Sequence, residues 1–128
     1  MSVPPPVAPV SRLIDQTRVN RYALAARDPN PVHTDAAFAA TTQFGRPVAH
    51  GMLVLALISE AMTAAFGERW ASSGSLKVRM RAPAVQPVTV TAEADPRGIE
   101  DGVAIYDVRC VDEHGTVLIS GTASVRLT

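Results

Sequence analysis

Between residues 50 and 66 the chain has almost no polar side. Met52, Leu53, Val54, Leu55, Ala56, Leu57 and Ile58 run without a break, and Ala61, Met62 and Phe66 continue the pattern. A helix that is apolar all round has to be enclosed by protein. Ser59 and Glu60 interrupt the run, which falls far short of the roughly 20 residues a bilayer requires. The stretch therefore predicts one long buried helix, with Gly67 as its stop signal.

The period changes to two after Gly74. Leu76, Val78 and Met80 alternate with Lys77, Arg79 and Arg81, and Val88, Val90, Ala92 and Ala94 alternate with Thr89, Thr91, Glu93 and Asp95. Further strand-like runs occupy 103–111 and 117–127. Turn-forming residues at 83–87, 96–102 and 112–115 separate them. Each of these four strands has one apolar face, as antiparallel strands do, and residues 10–14 supply a fifth. One long apolar helix needs a sheet curved around it. The expected architecture is α+β: a hot dog fold, with an antiparallel sheet of about five strands wrapped around the central helix. Upstream, an amphipathic helix is expected at 15–26, because Val19, Tyr22, Ala23 and Ala26 share a face. Pro29 ends it. A short helix with Thr34 as N-cap should carry Phe38.

With 128 residues the chain has room for one domain, 1–128, of which the Pro-rich residues 1–9 are expected to be flexible. Lys+Arg and Asp+Glu both number 12. That balance argues against a protein built to grip nucleic acid or an anionic membrane. Cys110 is the single cysteine, so no internal disulfide forms, and a small buried hydrophobe is the expected role. Residues 1–10 lack the basic start and continuous apolar stretch of a secretory signal. A soluble cytoplasmic protein is expected. Three histidines and one cysteine show no metal-ligand spacing, so no metal is expected.

The polar residues concentrate between the helices. Asp28-Pro29-Asn30-Pro31-Val32-His33 is stiffened by two prolines, and Asn30 can brace a turn through its side chain. Asp28 follows a helix C-terminus, an unfavourable place for a negative charge. His33 lies close enough in sequence to pair with it, and such a pair can share a water and move protons. His50-Gly51-Met52 opens the central helix. Its first N–H groups lack internal partners, and glycine admits a ligand to the backbone, which suits a carbonyl oxygen gaining negative charge. Ser59, two turns on, can face the same side, while Ser59 and Glu60 each need a partner. Taken singly, each of these residues has an ordinary structural use in a turn or helix start. His50 reads as a supporting or capping group, and His114 as a solvated turn residue. Lys77, Arg79 and Arg81 form a basic stripe, with Glu93 and Asp95 as expected cross-strand partners; contact with a cofactor phosphate is the alternative.

The segment 22–33, continued by Asp35, Phe38, Ala39 and Phe44 to Gly45-Arg46-Pro47-Val48-Ala49-His50-Gly51-Met52-Leu53, resembles the signature of MaoC-like (R)-specific enoyl-CoA hydratases. The likeness covers about a third of the chain at motif level. It implies reversible addition of water to a trans-2-enoyl-CoA, giving an (R)-3-hydroxyacyl-CoA, by a dimer of hot dog subunits. Asp28 and His33 then match the catalytic pair, Gly51 the backbone donor to the thioester oxygen, and Asn30 the residue that holds the loop. Ser59 matches a serine that lines the site. The acyl-CoA is substrate, and no cofactor is implied. The family commonly has Ser-Gly before the aspartate where this chain has Ala26-Arg27. Arg27 either adds positive potential beside Asp28 or points to solvent. Two other readings stay open. A hot dog thioesterase would need a carboxylate aimed at the thioester carbon, for which only Asp28 offers itself. A non-catalytic acyl-CoA-binding partner subunit would bind without turnover.

Overall fold

The structure, a computed structural model, describes residues 3–128. Strands β1 (Val10–Ile14), β2 (Ser75–Met80), β3 (Val88–Glu100), β4 (Val103–Asp112) and β5 (Val117–Arg126) form one antiparallel sheet in the order β1-β3-β4-β5-β2. The helices are α1 (Gln16–Ala26), α2 (Pro31–Thr34), α3 (Ala36–Ala39), α4 (Gly51–Phe66) and α5 (Glu68–Ser73). Helix α4 packs on β1, β3 and β4, which gives the hot dog arrangement. Period-two alternation puts Val90, Ala92, Tyr106, Val108, Cys110, Ala123 and Val125 on the inner face, against Leu57, Ile58, Ala61 and Met62 of α4. Cys110 is fully buried, and its thiol points at the Val54 carbonyl, 3.5 Å away. Gly121 lets β2 and β5 meet closely, since a Cβ there would stand 2.0 Å from the Lys77 carbonyl oxygen.

Several local expectations are corrected. The turn expected at 96–102 is mostly strand. A bulge between Pro96 and Gly98 absorbs the proline, β3 continues to Glu100, and the turn shrinks to Asp101-Gly102, both with positive φ. Asp35, not Thr34, caps the short helix carrying Phe38, through a 3.1 Å bond from the Phe38 N–H to its carboxylate. Thr34 already belongs to α2, because Pro31 is preset for a first helical turn. The basic stripe does not face Glu93 and Asp95. β2 pairs with β5 at the sheet edge, so Arg81 reaches Ser120 while Arg109 of β4 takes both acids.

The Pro-rich start is tied down from Pro4 onward, while Met1 and Ser2 lie outside the described residues. Pro4 and Val7 are buried, and the Tyr106 hydroxyl donates to the Pro5 carbonyl at 2.6 Å. Prolines have little backbone freedom to lose, which makes such docking cheap. Helix α4 is not enclosed by this chain alone: Met52 is 59% exposed and Ala56 is exposed beside the buried face. The partners expected for its polar residues are present. Ser59 meets Trp70, and Glu60 pairs with Arg12 of β1.

Candidate active site

Helix α1 ends through a left-handed residue. Arg27 has φ +55°, and the N–H groups of Arg27 and Asp28 bond back to the Leu24 and Ala23 carbonyls at 3.4 and 2.9 Å. This closure turns the chain sharply and presents Asp28 just beyond the helix. The Arg27 side chain is exposed and makes no ion pair with a described acid, which places it in solvent rather than over Asp28.

The Asp28 carboxylate is half-exposed. Its Oδ1 accepts from the Asn30 N–H at 3.4 Å, and its Oδ2 lies 3.9 Å from His50 Nε2. Asn30 in turn caps α2, its Oδ1 accepting the Val32 N–H at 3.1 Å. That turn carries His33. The His33 Nδ1 lies 2.7 Å from the Val48 carbonyl. A carbonyl only accepts, so Nδ1 carries the hydrogen and Nε2 of the neutral ring keeps its lone pair.

His50 lies beneath this pair. Its ring stacks on His33 with centroids 3.8 Å apart, meets Tyr22 edge-on at 4.8 Å, and its Nε2–H donates to the Asp28 carbonyl at 3.1 Å. One donor atom from each of Asp28, His33 and His50 lies within 4.8 Å of the others, a spacing a cation could bridge. The two imidazoles are stacked, with their planes 27° apart. The His50 Nε2 is also already engaged. The same spacing also admits a shared water.

Gly51 opens α4 directly after His50. The Gly51 and Met52 N–H groups find no acceptor among the described residues, and they lie at the positive end of the helix dipole. Beside them a cavity of about 320 Å³ is lined by Gly51, Val54, Met80, Ala82, Pro83 and Leu118, among others, but by neither Asp28 nor His33. A Cβ built on Gly51 would touch the Met80 methyl at 3.3 Å, so the thioether lies over the helix start.

The structure therefore brings Asp28, Asn30 and His33 together, with Gly51 one residue from the His50 that underlies them. It does not bring Ser59 to them. Ser59 stands eight residues along α4, roughly 12 Å of helical rise, where its Oγ accepts the Trp70 indole N–H at 2.8 Å. Sequence reasoning missed Gln16 and Gln86, whose amides both donate to the His33 carbonyl, at 2.9 and 3.2 Å. A polar amide between Val85 and Pro87 was the available signal for Gln86. Nothing distinguished Gln16 from a surface residue.

A MaoC like domain is matched over residues 4–117. The (R)-specific enoyl-CoA hydratase of Aeromonas caviae is 31% identical over 126 residues, covering 94% of this chain and 91% of that protein. The (R)-specific enoyl-CoA hydratase of Rhodospirillum rubrum is 31% identical over 124 residues, covering 92% and 83%. Among solved structures, the (R)-hydratase from A. caviae involved in PHA biosynthesis superposes with a TM-score of 0.82 at 28% identity, covering 94% of this chain and 93% of that one. By the extent of that match, and by relatives that span nearly its whole length, this chain belongs to the MaoC-like domain family.

Proposed function

We propose that the chain catalyses (R)-specific hydration of trans-2-enoyl-CoA to (R)-3-hydroxyacyl-CoA, and the reverse dehydration, without metal or other cofactor. The observation that carries this reading is the 2.7 Å bond between His33 Nδ1 and the Val48 carbonyl, which leaves the other ring nitrogen its lone pair, on a side chain with one ring nitrogen within 4.8 Å of an Asp28 carboxylate oxygen. Those two groups hold one water between them. As the water oxygen bonds to C3, one of its protons passes to the pair and the double-bond electrons move toward the thioester oxygen. The Gly51 N–H meets that oxygen as it becomes an enolate. The pair then returns a proton to C2. One water is consumed and no electrons are gained or lost. Asn30 keeps the loop in place through its cap on α2. The relatives at 31% identity bear the same activity in their names.

The reading includes a homodimer in the cytoplasm. Met52 and Met80 are 59% and 54% exposed at the helix start, and β2 has an unpaired edge. A second copy would cover both. Among the described residues no helix is long and apolar enough to cross a membrane.

A panel of enoyl-CoAs from crotonyl-CoA upward, followed by loss of enoyl-thioester absorbance with and without EDTA, tests the reaction. Chiral analysis of the product tests its hand. Hydration to the (R) product, unaffected by EDTA, is expected. Free thiol released in place of hydrated product would point to a thioesterase and overturn the proposal.

A further inference from the structure

His50 touches both members of the acid–base pair yet takes no part in the proposed proton transfers. It is 3% exposed and lines none of the cavity beside Gly51. It occupies the N-cap of α4, where Ser, Thr, Asp or Asn would bond a free helix N–H, and its side chain makes no such bond. Its Nδ1 is buried with no hydrogen-bond partner among the described residues. The position thus forgoes a cap and leaves a buried polar atom unpartnered, and each is a cost to folding. What the side chain does instead is specific. Its Nε2–H holds the Asp28 carbonyl at 3.1 Å, and its face supports the His33 ring at 3.8 Å. Tyr22, from the middle of α1, meets the ring edge-on at 4.8 Å.

We propose that His50 is a positioning residue: one rigid ring that sets the separation and mutual angle of Asp28 and His33, so that both can engage the same water. The loop reaches Asp28 through α1 and reaches His33 through α2, and no described hydrogen bond joins the two side chains directly. His50 is the group that refers both to the start of α4, where Gly51 lies. The role rests on the hydration reading for its catalytic meaning, but its geometric content stands separately.

The test uses the full chain and two partial replacements. His50→Phe keeps a flat ring under His33 and deletes the donor to Asp28. His50→Gln keeps a donor and deletes the ring. Each should lower kcat for crotonyl-CoA by about 10- to 100-fold, as misplacement of reacting groups does, with KM moving less than about twofold because the acyl contacts are untouched. A ring that served folding alone would lower melting temperature and leave kcat per folded molecule unchanged, which would overturn the inference.

A second readout is independent of turnover. Ring-nitrogen NMR of the wild type should show hydrogen on Nδ1 of His33 and on Nε2 of His50. In folded His50→Gln the His33 signals should move toward a mixture of tautomers, while in His50→Phe they should hold. His33 signals unmoved by His50→Gln would overturn the inference even if the protein hydrates enoyl-CoA. The expected movement in a protein that hydrates nothing would leave the positioning role standing and remove only the reaction assigned to the site.

Discussion

The His33 imidazole and the Val48 carbonyl meet at 2.7 Å, and the Val48 N–H returns to the Val32 carbonyl at 3.1 Å. This reciprocal pair joins the turn that carries His33 to the strand-like segment that leads into α4. Ala49 and Gln86 extend the join, their N–H groups bonding to Ala84 and Pro47 at 2.8 and 3.0 Å. The 32–33 turn, the approach to α4 and the 82–87 loop are thereby joined by backbone bonds, and the His33 ring is anchored to the same frame through the Val48 carbonyl. A site that must place a water to within a fraction of an ångström is best mounted on such supports.

Arg27 occupies a conformation that favours glycine, with φ +55°. Its side chain makes no ion pair with a described acid in exchange. Arg27→Gly should raise stability by about 0.5–1 kcal/mol, the relief of a Cβ in the left-handed region less the added freedom of the unfolded chain. Denaturant titration checks it, and turnover should be unchanged.

The Tyr106 hydroxyl bonds to the Pro5 carbonyl across 101 positions of sequence. Tyr106→Phe should cost roughly 1 kcal/mol, the net worth of one partly buried hydrogen bond. Removing residues 1–9 should cost more, because it also uncovers the surface that Pro4 and Val7 occupy. Melting temperatures of the two variants measure the difference.

Burial pushes the Cys110 thiol from 9.0 to about 12 and raises the Tyr106 phenol above its ordinary 10.0. Both groups hold their protons more tightly folded than unfolded. Their contribution to stability is complete only below the unfolded thiol's 9.0, up to about pH 8.5, and is lost as pH rises toward the folded values. The urea midpoint should therefore stay level to about pH 8.5 and then fall. Cys110→Ala should delay the fall to the tyrosine range, and the native thiol should resist alkylation at about pH 8, where it is neither ionised nor exposed.

Gly51 and Met80 are coupled through the 3.3 Å contact a Cβ would make. Gly51→Ala should fold, because the obstacle is the end of a flexible thioether. It should raise KM for enoyl-CoA, since the displaced methyl moves within the cavity it already lines. Met80→Ala should recover part of the loss in the double variant, and steady-state kinetics on all three proteins would show the coupling.

The long helix and the four strands after it were legible because one hydrophobic period per element dominates their sequences. Asp28, Asn30 and His33 were legible because they fall within six residues and two prolines limit the loop. What Ser59 binds was not legible for a physical reason: helical spacing turns a side chain toward one side, but a donor brought by α5, the Trp70 indole, decides what it meets. The partners of Lys77 and Arg79 could not be read because strand order is not written locally; β2 pairs with β5 at an edge, far from β3. Gln16 and Gln86 converge on one carbonyl from positions 70 residues apart, and no local pattern announces such a convergence.

The central claim is that Asp28 and His33 act together on one water. Its most direct measurement is hydration of crotonyl-CoA by the wild type, Asp28→Asn and His33→Gln, each checked for folding. The account predicts turnover in the wild type and losses of about 100-fold or more in each variant. Turnover that survives both substitutions at the wild-type rate would contradict it.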